Sequence, residues 1–600
     1  MSNAKSVAAA LIIMALSAGL ALADNVENNW NEFLHYTKIG RFDLAKGYAQ
    51  ALIESEPNAL ELLDLAQANP HGHILLKKAG KNSYEPELAQ LATEVLKIIE
   101  KGRFIRRSEP KIIAEEIRRL TTTARGRVTA VKRLADAGEY AIPYMLDALL
   151  DDSRQEEWPN IIWALPQIGQ AAIRPLAASL QMDNTAVKAE AIKALGKIAY
   201  PQSRPYLKFI VEKDTSGQLG QLSAQSIKQI DTSAARLSAA QLFFSLGQDY
   251  YYHSASLAPA QDADFANIWF WDSTLKRLIR EKVDKEYFNE LMAMRCCEWA
   301  LKADPEFGKA IGLWLAAFFK AESTGLDMPE YFGSTHASPA VYATTAGPEY
   351  LHQALARALK DKNAYVALGA VEALATTAGE KSLLYRLDLT QPLIDALSFD
   401  DKAVRYSAAI AIAAAGPKRR FAERSLVVKN LTEALQQTPT QNNQASANPV
   451  NWDQQMTDSY ALRAATVMLK LAQTQNRVID LSDAKDTLIE ATKDTRPQIQ
   501  TLSGQILAHL ESPDAQRAIA AMALSENNSK PIRISAFNSL AVSAKLNANL
   551  LDEATIDHIY LLVGSQQADP QLRGAAAIAY GALNLPSKKV KDLILDQARS

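Results

Sequence analysis

The sequence predicts an all-α chain: an α-solenoid of stacked helical pairs with one small inserted β-hairpin. Three observations predict it. Turn formers are scarce, with 25 Gly and 24 Pro among 600 residues, and aromatics make up only 7%, a composition that suits long helices better than strands. Six segments share one register without gaps, starting at Val187, Val366, Val404, Ile499, Ile532 and Leu572. Each carries a small residue four positions on (Ala191, Ala370, Ala408, Ser503, Ala536, Ala576) and a larger one eight positions on (Leu195, Leu374, Ile412, Leu507, Leu540, Tyr580). Those offsets follow one face of an α-helix, and a small residue within the stripe lets a neighbouring helix approach closely. Finally, the nearest of these segments recur 33 to 40 residues apart. Helical pairs at that period cannot bury a face alone, so they stack.

The helices of this register share their entry chemistry. Asp183, Asp361, Asp400, Asp494, Asn528 and Asp569 precede the first apolar position by three to five residues and are expected to cap the helix N-termini. A base follows the first apolar residue in four cases, at Lys188, Arg405, Arg533 and Arg573, while Ala367 and Gln500 take its place in the other two. Amphipathic helices precede them, as at 142–146, 173–176 and 392–394. This pattern resembles HEAT repeats over about residues 106–235 and 349–600. Asp183–Lys188 and Asp400–Arg405 look like that family's Asp–Arg ladder, which Ala367 and Gln500 would interrupt.

The remaining segments read differently. Residues 1–23 have a Lys5 n-region, an apolar stretch at 7–20 and an Ala21-Leu22-Ala23 site, which together predict a secretory signal peptide cut between Ala23 and Asp24 and a periplasmic location. In 24–105, Gly40-Arg41-Phe42, Ala45 and Pro57 resemble a tetratricopeptide repeat, with Trp30 and Phe33 on the preceding helix. In 236–348, Ala293, Ala300 and Asp304-Pro305 resemble the end of another. Within that segment, about 267–283 predicts a hairpin, with strands at 267–271 and 278–283 and a turn at 272–274. Asp284 would cap the helix that carries Cys296 and Cys297, which read as buried free thiols. Residues 325–348 predict a packed loop, and the Gln/Asn/Thr-rich stretch near 434–455, uncharged over 434–452, a mobile one. Taken together, the chain resembles exported bacterial HEAT-repeat proteins of largely unknown function.

A net charge of -2 argues against a nucleic-acid binder, and two cysteines cannot make a disulfide framework. The sequence has no nucleophile elbow, P-loop, H-E-x-x-H or C-x-x-C motif. His71-Gly72-His73 reads as an exposed turn in a loop rather than a metal site. No cofactor, metal or catalytic residue is expected. The candidate binding residues are the aromatics Tyr250, Tyr251, Tyr252, Trp269 and Trp271 and the repeat bases Lys188, Arg405, Arg533 and Arg573. Three consecutive tyrosines cannot all face one core, so at least one should be exposed. Residues 101–133 hold eleven bases and three acids, a local excess of +8. The favoured function is a non-catalytic periplasmic scaffold that binds protein partners, not yet identified, along the concave face of the solenoid. One alternative is a small-molecule or cofactor-handling protein, resembling bilin lyases, that uses the aromatic junction. The other is an envelope anchor held weakly to an anionic surface by 101–133.

Overall fold

The structure is a computed structural model that describes residues 25–214, 217–254, 265–332, 339–439 and 452–586, with a few isolated positions besides. The predicted signal peptide lies outside the described residues. Two compact units are present, Met1–Leu246 with Ala258–Lys285, and Gly247–Leu257 with Glu286–Ser600. Both consist of paired helices, and the strands Phe265–Asp272 and Arg277–Asp284 form an antiparallel hairpin in the first unit.

The first unit holds two hydrophobic clusters. One gathers Trp30, Phe33, Leu52, Leu62, Leu76 and Val95 from the helices before residue 100, and the other begins at Ile113 and runs to Leu278 of the hairpin. The long helix Pro86–Ser108 packs on Ala59–Ala68. Gly102 makes this possible, since a Cβ there would sit 2.0 Å from the Ala59 carbonyl oxygen. In the second unit the register helices stack in sequence, with Gln454–Gln473, which lies outside the register, between two of them. Ala364–Thr377 packs on Lys402–Ala415, that on Gln454–Gln473, then Pro497–Leu507, Lys530–Asn547 and Pro570–Ala582. All six small residues and all eighteen positions of the predicted register are buried.

The predicted caps require correction. Asn184, Asn363 and Asp401, not Asp183, Asp361 and Asp400, accept from the first-turn amides of their helices. The reason is reach: an Asx side chain meets the N–H two or three residues on, so the cap stands three positions before the first apolar residue. Asp569 obeys that spacing and caps its helix. The helix Pro497–Leu507 instead has Arg496 at its N-cap, with Asp494 accepting from the Arg496 amide, and Asn528 reaches back to the Met522 carbonyl.

The ladder requires correction too. Arg405 donates to the backbone carbonyls of Phe399 (2.9 Å) and Asp400 (3.1 Å), while the Asp400 carboxylate meets Lys362. Arg533 donates to the Ala523 carbonyl (3.0 Å), Arg573 to that of Ser565 (3.4 Å), and Gln500 to that of Thr492 (2.8 Å). Phe399, Ser565 and Thr492 are C-caps of the preceding helices, and Ala523 lies in the last turn of one. The residue after the first apolar position therefore ties down the last carbonyls of the partner helix, where a positive charge also suits the dipole. Gln500 keeps the hydrogen bond without the charge, so it does not interrupt the pattern. Charge pairing between neighbouring helices is shared by Arg405–Glu433 (3.5 Å), Lys362–Asp400 (3.5 Å) and Lys530–Asp569 (3.1 Å).

Four smaller expectations change. His71-Gly72-His73 lies in the first turn of the helix Pro70–Ala79, which Asn69 caps through the Gly72 amide. Asp284 ends a strand, and Tyr287, with no side-chain cap, precedes the cysteine helix Phe288–Ala303. The 325–348 stretch contains a 3-10 turn, Glu330–Phe332, and a helix, Pro339–Ala346, with 333–338 outside the described residues. The polar stretch is shorter than 434–455: Arg424–Gln436 is helical, Trp452 is buried against Tyr406 and Tyr460, and a new helix starts at Gln454. Its centre, 440–451, lies outside the described residues.

The corrected cap rule makes a direct prediction. Replacing Asn184 by Ala costs about 1 kcal/mol of stability by urea denaturation, whereas Asp183→Ala changes nothing measurable. Equal losses in the two variants would contradict the assignment.

Candidate functional site

The hairpin carries two of the predicted site residues. Alternate side chains of a strand share a face, and Phe265, Asn267, Trp269 and Trp271 share one that meets the helices of the first unit. Phe265 packs edge-on against Phe104. Asn267 Nδ2 donates to Glu139 Oε1 (2.6 Å) and Tyr140 OH (2.8 Å), and Trp269 Nε1 donates to Glu139 Oε2 (2.8 Å). Arg174 also reaches Glu139, at 3.2 Å. Across the ladder, Arg280 lies over the Tyr140 ring and Lys282 over that of Phe265. Trp269 is buried and Trp271 half-buried against the same cluster. One carboxylate, Glu139, thus anchors the hairpin.

The tyrosines belong to the second unit, so Tyr250–Tyr252 and Trp269/Trp271 fall in different units. Tyr250 and Tyr251 are buried and Tyr252 is 50% exposed, as expected for three successive residues at a helix end. Around them stands a polar cluster that no sequence motif announced. Glu290, only 2% exposed, has its Oε1 2.5 Å from His253 Nε2 and 3.0 Å from Lys320 Nζ. Lys320 also donates to the Tyr251 carbonyl (2.8 Å) and lies over the Tyr251 ring. Arg357 donates to Tyr252 OH (2.9 Å), which in turn donates to Asp361 Oδ1 (3.3 Å). Among the described residues, Glu290 Oε2 and Tyr251 OH are buried without a hydrogen-bond partner. Burial alone would raise the Glu290 carboxyl, but the His253 and Lys320 contacts outweigh it and hold the group below its ordinary 4.5. Burial pushes the Tyr251 phenol up.

Arg405, Arg533 and Arg573 are half-buried and committed to the carbonyls described above, and Lys188 is half-buried on its helix. Cys296 and Cys297 are buried and free, with burial raising both thiols. His73 Nε2 lies 2.9 Å from an Arg103 guanidinium nitrogen. Among the described residues no group of three His, Cys, Asp or Glu side chains could hold a metal, and no helix is long and apolar enough to cross a membrane.

The basic 101–133 segment lines a cleft in the first unit. Its volume is about 780 Å³ and it opens between the helices Ala59–Ala68, Pro86–Ser108, Pro110–Arg119 and Ala124–Ala137. Leu63, Ile112, Ile113 and Leu134 make it apolar below, and Arg103, Arg106, Arg107, Lys132 and Arg133 face it with Asp64, Glu116 and Asp136.

The Glu290 cluster makes stability depend on pH with a fixed sign. A carboxyl held low in the fold stabilises it fully above the unfolded value, and that contribution fades as pH falls through the folded value. Glu290→Gln should therefore lower the melting temperature most near neutral pH. The gap from wild type should narrow below about pH 4.5. A gap independent of pH would show that His253 and Lys320 do not hold the charge.

Comparison with known proteins agrees with this architecture. Residues 142–228 match the family model for HEAT repeats. No curated protein matches the chain in sequence. Among solved structures, Kap121p bound to Nup53p aligns at 12% identity and a TM-score of 0.28, over 93% of this chain and 57% of that one. A structure from work on the interaction between cadherin and beta-catenin aligns at 12% identity and 0.24, over 89% and 96%. SYS-1 aligns at 10% and 0.23, over 94% and 100%. Residues 142–228 thus carry HEAT repeats, within an all-α chain of paired helices.

Proposed function

We propose that this chain is a non-catalytic scaffold for protein partners, exported to the periplasm by its N-terminal segment. One observation carries the reading: helices stack in sequence through the second unit, and the register helices among them each bury a small residue. Such an array spends its apolar residues on neighbouring repeats and offers an extended outer surface, the arrangement by which repeat proteins engage long stretches of a partner. The polar groups that sequence reasoning placed on that surface are partly committed inside it. Arg405, Arg533 and Arg573 clamp helix ends, so recognition falls to other exposed side chains. Tyr252, half exposed beside Arg357 and Asp361, is one of them.

The test is the intact mass of the native complex, purified through a tag from the envelope fraction of the protein's own host after mild crosslinking. A stoichiometric polypeptide partner is the expected result. A bare chain would overturn the scaffold reading, as would one that carries only a few hundred daltons of ligand.

A further inference from the structure

We propose that the cleft among the helices Ala59–Ala68, Pro86–Ser108, Pro110–Arg119 and Ala124–Ala137 binds a short acidic peptide segment with apolar anchors, contributed by a protein partner. The inference rests on the scaffold reading and supplies its ligand chemistry. The cleft's volume, about 780 Å³, falls within the range of roughly 300–1,000 Å³ typical of ligand sites. It takes a few residues of chain, not a domain surface.

Charge sets the class of ligand. Five cations line the cleft against three carboxylates. Asp64 is matched by Arg106 (2.5 Å), and Glu116 by Arg133 (2.6 Å) and Arg119 (2.9 Å). Arg103 pairs with Glu100 (3.0 Å), and Arg107 lies over the rings of Phe104 and Tyr140. Lys132 stands exposed on the rim. The excess is positive and attracts carboxylates.

A second observation separates a peptide from other polyanions. Glu116 is 3% exposed, lines the cleft, and leaves Oε2 buried without a hydrogen-bond partner. That oxygen accepts only, so its complement is a donor such as a peptide N–H. A buried acceptor left unmet costs free energy that such a donor would recover. An ionised phosphate group has no such donor. Leu63, Ile113 and Leu134, already buried, and the half-buried Ile112 give the cleft an apolar lining that suits an apolar side chain. Acidic side chains on the rim, backbone amides toward Glu116 and an apolar anchor below are all features of one extended peptide.

Fluorescence anisotropy on the full chain tests this. The probe is a labelled peptide of about nine residues, Glu and Asp with two Leu and one Phe. Its Gln/Asn counterpart and vesicles of phosphatidylglycerol and phosphatidylcholine serve as competitors. The acidic peptide should bind saturably and lose at least about tenfold in affinity to Lys132→Glu. Lys132→Ala should lose less, and Lys545→Glu, in the other unit, should lose nothing. Circular dichroism should show all three variants folded. Three results would overturn the proposal: equal binding of the Gln/Asn peptide, full competition by the vesicles, or indifference to Lys132→Glu. If a stoichiometric partner is captured from the host and is retained undiminished by the Lys132→Glu chain, the cleft assignment falls while the scaffold reading stands.

Discussion

The structure depends on close approach between neighbouring helices, and each helix of the shared register offers one small position for it. Ala191, Ala370, Ala408, Ser503, Ala536 and Ala576 are all buried. Larger side chains there would hold the helices apart, and the residues one turn on either side would lose their neighbours. Packed interiors tolerate neither voids nor excess volume, so this single choice sets the helix spacing along the array.

Once spacing is set, the polar chemistry of each repeat has a restricted task. In four of the six register helices a side-chain cap three residues ahead satisfies first-turn amides, and in four the residue after the first apolar position bonds the last carbonyls of the partner helix. The two ends that a helical hairpin leaves open are thereby closed by its own sequence. A further network joins three successive helices. Ser407 donates to Glu372 (2.6 Å) and lies 2.9 Å from Tyr460 OH, while Arg463 reaches both Glu372 oxygens at 2.9 Å. Glu372, Glu290 and Glu139 play one role in three places. Each is a carboxylate that accepts from residues far away in sequence and so fixes the relation of elements that apolar packing alone would let slide.

Much of the fold was legible because its signals are local. The register, the small positions and the hairpin each follow from a period or composition within about twenty residues, and the strands extend the predicted 267–283 only to 265–284. The caps were misplaced by one or two residues because polarity was read without the geometric reach of the side chain. The turn assigned to His71-Gly72-His73 was a helix start, signalled by Asn69 and Pro70. The functional groups were much less legible. Glu139 meets partners 35 to 130 residues away, and Glu290 meets His253 and Lys320 across two helix boundaries. No local pattern marks such a carboxylate. The basic run at 101–133 was visible, but its cleft depends on residues 63–67 as well.

The stacking account is tested most directly by hydrogen exchange on Ala408→Leu. Added volume at a filled contact should cost about 2 kcal/mol. In a nearest-neighbour array the lost protection should concentrate in Ala364–Thr377, Lys402–Ala415 and Gln454–Gln473, sparing Pro570–Ala582. Unchanged exchange in the two flanking helices would contradict the claim that small residues set the approach of one repeat to the next.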